Sequence, residues 1–152
     1  MSASIRLAHG LALRDGSVLL VASRYASHPQ PLWNLPGGRV EPGELLTETV
    51  VRETREETGL RANVRELAYV SESYDGEQHV VATIFLMDVE GVIALPQSQD
   101  HVAAARWEPV GEIAQRISVD VVREPLLRYL ARGTRYFGTH NAGVRVVWPE
   151  QT

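Results

Sequence analysis

No cysteine occurs among the 152 residues, which removes disulfides, thiolate metal ligands and cysteine nucleophiles at once. Any metal must then sit on oxygen or imidazole. Basic residues are scarce as well: 15 Lys and Arg stand against 19 Asp and Glu, for a net charge of -4. That balance argues against wrapping long nucleic acid, which needs a cationic face to displace counterions, and leaves small phosphates open as partners. Long apolar runs are also missing. The stretches Ser17 to Ala22 and Val80 to Val89 are interrupted or too short for the roughly 20 residues of a membrane span, so no membrane partner is expected. Met1 to Ile5 carries no basic-then-apolar leader, and a cytoplasmic protein is the expectation.

What is present looks ordinary for a globular chain: 44% hydrophobic and 22% charged residues, neither disordered nor fibrous. The length suits one domain over residues 1–152. Apolar runs at Ile5 to Leu13 and Ser17 to Arg24 flank Asp15-Gly16, which predicts a hairpin. From Tyr25 to Gly43, four prolines and three glycines leave mostly loop around a short extended piece at Trp33 to Leu35. Glu44 to Thr58 lacks Gly and Pro and meets Gly59, the usual left-handed stop, so one helix is predicted there. Strands follow at Asn63 to Tyr74 and Glu77 to Val89 around Asp75-Gly76, with another at Ala104 to Pro109. Pro125 is placed in the first turn of a helix running to Ala131. A terminal hairpin over 134–149 is read around Asn141-Ala142-Gly143, with His140 and Asn141 as turn residues. Strands around a central helix, and a second helix late in the chain, give an α+β or mixed α/β layer arrangement.

Chemistry concentrates in the predicted central helix. Glu53, Glu56 and Glu57 fall at i, i+3 and i+4, which puts three carboxylates on one face. Leu46 and Val50 bracket the direction of Glu57, so that carboxylate should face the protein body, where it is costly without positive charge. A hard divalent cation offsets it, since Mg²⁺ prefers carboxylate oxygens and keeps positions for water and phosphate. By composition alone, the same residues also read as a solvated Glu/Arg surface.

The spacing decides more than the composition does. Gly38, five residues, Glu44, seven residues, then Arg52-Glu53-Thr54-Arg55-Glu56-Glu57-Thr58-Gly59-Leu60 resembles the Nudix box at every fixed position. Thr54 is the one departure, standing where the family usually carries an aliphatic residue. The likeness extends outward through Trp33-Asn-Leu-Pro-Gly-Gly and Arg106-Trp107-Glu-Pro-Val. The resemblance implies an α/β/α sandwich with a central mixed sheet and a hydrolase that cuts a diphosphate linkage. It also implies Mg²⁺ or Mn²⁺ on Glu53, Glu56 and Glu57, joined by a backbone carbonyl at Gly37 or Gly38. Arg52 matches the arginine that holds a box glutamate, and Glu44 matches the glutamate that supports the loop and helix start. Many relatives pair, so a homodimer is compatible with the resemblance.

The general base stays open between Glu53 and a later loop. Where many Nudix proteins carry a glutamate shortly before a tryptophan, Gln99-Asp100-His101 precedes Trp107, so Asp100 and His101 are the candidates. Each also reads as an exposed loop residue. For the substrate, Arg24 at the end of a strand could grip phosphate. Gly37 and Gly38 allow close backbone approach. Trp33 either stacks on a base or packs beneath the loop, with packing favoured. Tyr25, Tyr74 and His79 read first as partly buried structure.

A small nucleotide-like diphosphate is therefore the expected substrate, with nucleoside triphosphate pyrophosphatase as the narrow reading. Dinucleoside polyphosphates and nucleotide sugars are the alternatives. Ser73 to Glu77 lacks the proline often found in ADP-ribose-cleaving relatives, and Tyr74 lies slightly early for the tyrosine of dinucleoside-polyphosphate ones. A nucleotide-binding module without turnover, or a purely structural protein with a solvated acidic helix, remain as readings of another class.

Overall fold

The chain starts with Ser4–Leu11 (β1) and turns sharply between Leu13–Arg14 (β2) and Ser17–Ser23 (β3). Asp15 and Gly16 carry φ of 50° and 77° there, the positive values a two-residue hairpin requires. The structure is a computed structural model that describes residues 4–95, 101–140 and 145–147. Next come Leu32–Asn34 (β4), Gly37–Arg39 (β5) and the helix Leu46–Thr58 (α1). Arg61–Asp75 (β6), Gln78–Glu90 (β7) and Val102–Pro109 (β8) follow. A 3-10 turn then enters Ile113–Arg116 (α2), Asp120–Arg132 (α3), Tyr136–His140 (β9) and Arg145–Val147 (β10).

Six strands form a mixed sheet in the order β10-β9-β6-β7-β1-β5, with β1–β7 and β6–β9 parallel and the other pairs antiparallel. A smaller sheet joins β2, β3, β4 and β8 through β3. Strand alternation sends neighbouring side chains of β3 to opposite sides: Val18 and Leu20 enter one core, Leu19 the other. The first core gathers Leu11, Tyr69, Ile84, Ile113, Leu126 and Phe137 under α2 and α3. The second gathers Ala8, Val50, Leu60, Ala62 and Met87 under α1. Helices therefore cover both faces, and the expected sandwich around a mixed sheet is what the chain forms.

Two expectations need correction and a third an addition. The central helix begins at Leu46, not Glu44, because the Glu44 carboxylate turns back to the Glu41 amide and is occupied there as a loop-closing acceptor. Glu48 takes up the start of the helix, accepting from the Leu45 amide at 2.8 Å. The Pro/Gly-rich stretch is mostly loop as expected but holds a second short strand: besides β4 at the expected piece, β5 pairs in the other sheet, and Leu35-Pro36 carries the chain from one to the other. Finally, α3 starts at Asp120, so Pro125 sits inside the helix beyond its first turn, packed into the core and offering no N–H to the Val121 carbonyl. The expected terminal hairpin appears as the antiparallel pair β9–β10, while its turn at Asn141 to Gly143 lies outside the described residues.

Candidate active site

Gly59, with φ of 78°, ends α1 as its sequence position predicts, and fixes the phase of the last turn that presents the glutamates. Glu57 points into the protein at 5% exposure, held by the Gly37 amide, which donates to its Oε1 at 2.8 Å. Burial is the main influence on this carboxyl, with the nearby Glu53 and Glu56 charges adding to it, and its pKa is pushed up to about 8. Glu53 is raised too, again chiefly by burial, while Arg52 and a charge on His101 oppose the shift.

One guanidinium serves several carboxylates. Arg52 donates to Glu44 through Nε and Nη2 at 2.7 and 3.0 Å, and to Glu53 and Glu56 through Nη1 at 2.9 and 3.2 Å. Its Nη2 also reaches the Arg39 carbonyl in β5 at 3.3 Å, tying helix to strand. Glu44, which additionally accepts from Thr49 Oγ1 and the Glu41 amide, has its pKa drawn down to about 2, first by the Arg52 hydrogen bonds. Glu44 is thus a brace for loop and helix. Thr54, the odd residue of the box, is fully buried with Oγ1 3.7 Å from Met87 Sδ, so its hydroxyl is accommodated inside the core.

The glycines of β5 are needed for space. A Cβ on Gly38 would lie 2.9 Å from Glu53 Oε1, and one on Gly37 would lie 2.3 Å from the Ala8 carbonyl oxygen. With φ of 152°, Gly37 also holds a backbone shape that side chains disfavour. The loop therefore lies directly against the acidic helix.

The other expected residues divide. His101 lies exposed at the start of β8, where its carbonyl accepts the Arg24 amide at 2.6 Å, and it is near enough to influence Glu53. Arg24 joins it there, with Nη1 3.3 Å from the Val102 carbonyl. Asp100 lies outside the described residues. Trp33 packs against the core under α2 and α3, with the Arg116 guanidinium 5.4 Å from its ring centroid, an arrangement that favours its packing role. Arg116 is anchored in turn by Glu108, buried at 1% exposure and bridged to Arg116 and Arg106 at 2.8 Å each. Tyr74 stacks between His79 and His140 at the far end of the sheet, away from the β5 glycines.

Sequence reasoning missed a cleft of about 90 Å³ between the mixed sheet and α3, lined by His9, Asn34, Leu35, Ser71, Ala82 and Val122. A second cavity of about 250 Å³ beside Asp120 and Arg123 shares the wall residues Ser71, Val121 and Pro125 with it. A histidine inside the apolar run of β1 was the only available signal. The cleft abuts the crossing at Leu35, and two residues on, the Gly37 amide holds Glu57 of α1.

The donors suit a hard cation: Glu53, Glu56 and Glu57 offer oxygen only, and one arginine leaves their combined charge incompletely offset. Among the described residues, no three acidic or histidine side chains already converge as a formed cation cage, because Glu53 and Glu56 are drawn to Arg52. Also among the described residues, no helix is long and apolar enough to cross a membrane.

The sequence matches the NUDIX domain over residues 5–130. This chain belongs to the NUDIX family. Its relatives include an ADP-ribose pyrophosphatase of Methanocaldococcus jannaschii, 40% identical over 85 residues, covering 54% of this chain and 49% of that protein. A putative 8-oxo-dGTP diphosphatase of Bacillus subtilis is 36% identical over 105 residues, covering 68% and 65%. The mouse asymmetrical bis(5'-nucleosyl)-tetraphosphatase is 36% identical over 116 residues, covering 70% and 76%. The chain thus spans about half of the archaeal relative and just under two thirds of the Bacillus one. Among solved structures, the Escherichia coli ORF135 protein superposes with a TM-score of 0.68 at 26% identity, covering 86% of this chain and 94% of that one. The Bacillus halodurans MutT protein superposes at 0.76 with 19% identity over 97% and 99%, a likeness of fold.

Proposed function

We propose that this NUDIX protein is a Mg²⁺- or Mn²⁺-dependent hydrolase that cuts the diphosphate linkage of a nucleoside diphosphate joined to another group. The observation that carries the reading is Glu57: a buried carboxylate beside Glu53 and Glu56, with a raised pKa and the Gly37 amide donating to it. A divalent cation bound by these three glutamates would supply charge neutralisation on the phosphates and a more acidic attacking water. The protein's own groups do the rest. Arg52 orients Glu53 and Glu56, the Gly37 amide holds Glu57, and Gly38 lets the Glu53 carboxylate lie against the strand. Either Glu53 or His101 takes the proton from the water; Asp100 is the third candidate. Arg24, beside His101, is assigned to the phosphate chain, and the cleft under α3 to the nucleoside. A cytoplasmic location belongs to the same reading, and the cysteine-free composition is compatible with it.

The relatives' names differ in what is attached: ADP-ribose, 8-oxo-dGTP, a dinucleoside tetraphosphate. Each contains a nucleoside with linked phosphates, which supports that shared unit as the substrate class. Within it we favour nucleoside triphosphates, cut to monophosphate and pyrophosphate. Turnover of a nucleotide panel with Mg²⁺ or Mn²⁺, products separated by chromatography, tests this directly. Glu57→Gln should lower kcat by about a hundredfold or more, as loss of a metal-holding carboxylate does. Nucleotide binding without release from any substrate would favour the binding module.

A further inference from the structure

His9 is a buried ionisable side chain with no task in the scheme above. It sits on β1 at 7% exposure, opposite Gly37 in the strand register. Its Nδ1 lies 2.9 Å from the Leu35 carbonyl oxygen. A carbonyl can only accept, so Nδ1 carries the hydrogen. Burial, the largest influence, holds the imidazole below its ordinary range against the opposing Leu35 and Pro36 carbonyls. The ring is therefore neutral in one tautomer, and Nε2 keeps its lone pair. Nε2 makes no hydrogen bond among the described residues.

Position turns this into an opportunity for recognition. The ring lines the cleft under α3, among the apolar side chains of Leu7, Val80, Ala82 and Val122. The ring already lies against β5, filling the space that Gly37 leaves open: a Cβ there would lie 2.5 Å from His9 Nδ1. The cleft thus contains a fixed acceptor beside an apolar wall, with Asn34, Ser71 and Ser73 as further polar lining, and that acceptor is held by the same Leu35–Gly37 strap that holds Glu57. A heterocycle that brings an N–H to this edge gains a partner, whereas one that brings a carbonyl or a methyl group leaves Nε2 buried and unpaired.

Resting on the reading that a nucleotide occupies the site, we propose that His9 selects among nucleobases by accepting, at Nε2, a hydrogen bond from a ring or exocyclic N–H of the base lodged in the cleft. The preferred base presents that N–H on the edge leading into the cleft. His9 is then a specificity residue, with no part in the hydrolysis.

Calorimetric binding of AMP, CMP, GMP and UMP to the full chain with Mg²⁺ tests the assignment, with ribose 5-phosphate as the probe that lacks a base. His9→Leu should weaken the tightest monophosphate roughly five- to tenfold, the worth of one buried hydrogen bond, and leave ribose 5-phosphate unchanged. His9→Gln, which restores an acceptor, should recover part of the loss. The same monophosphate methylated at the N–H concerned should bind the wild-type chain more weakly by a similar factor and lose nothing further in His9→Leu. Equal binding of the whole panel by His9→Leu and wild type would overturn the assignment. So would a loss shared by ribose 5-phosphate, or independent losses from methylation and mutation. If His9→Leu does not fold, the methylated ligands on the wild-type chain decide alone: methylation at every base N–H without loss rejects the contact. Failure of the underlying reading looks different, since no monophosphate would then bind the wild type and no triphosphate would turn over.

Discussion

Buried between a backbone amide and two other carboxylates, Glu57 resists ionisation until about pH 8. Its folded pKa lies above the ordinary 4.5, so between those values the native state keeps a proton that the unfolded chain has lost. The contribution to stability is full below about 4.5 and disappears as pH rises through about 8. Metal-free protein should therefore lose on the order of a few kcal/mol from this group between about pH 5 and about pH 9. Urea unfolding at both ends of that range, compared with Glu57→Gln, checks it: the variant should show a flatter profile, and an equal slope in both would assign the dependence elsewhere. Helical spacing made the inward direction of Glu57 legible, because Leu46 and Val50 mark the buried stripe. Its partner was not legible. The Gly37 amide is 20 positions away, and only the strand register brings it there.

Elements differ in how much of themselves they announce. The β2–β3 hairpin and the end of α1 follow from residues that tolerate positive φ, at Asp15-Gly16 and Gly59. By contrast, β5 hides in a run of glycines, since its strand character comes from pairing with β1 and not from its own propensity. The interior position of Pro125 was hidden likewise, because packing of Leu126 and its neighbours sustains the helix despite the missing N–H. At the other end of the sheet, β9 is tied to β6 by side chains as well as backbone. Glu72 accepts from the Tyr136 hydroxyl and pairs with His79 Nε2 at 2.7 Å, which draws its pKa below the usual range. Glu72→Gln should loosen this strap: amides of β9 should exchange several-fold faster by hydrogen exchange, with β1 and β3 little changed. Equal acceleration across all strands would mean global destabilisation and not a local tie.

For the molecule as a whole, metal and proton compete for one carboxylate. Mg²⁺ should raise the Tm of the wild-type chain, and the rise should be larger at about pH 9 than at about pH 6, where Glu57 still holds its proton. Scanning fluorimetry across pH, with Glu57→Gln as the control that responds weakly at both values, measures it. A shift independent of pH would place the cation away from Glu57.

The two cores carry different parts of the site. Glutamates stand on the helix that closes one core, while the cleft is walled by residues of the other, and the two meet at the Leu35–Gly37 crossing between sheets. Substitutions under α3 can therefore reshape what enters the cleft without touching the packing of α1. Selection can act on preference and on chemistry almost as separate traits. A lineage built on this plan is free to change its diet while keeping its teeth.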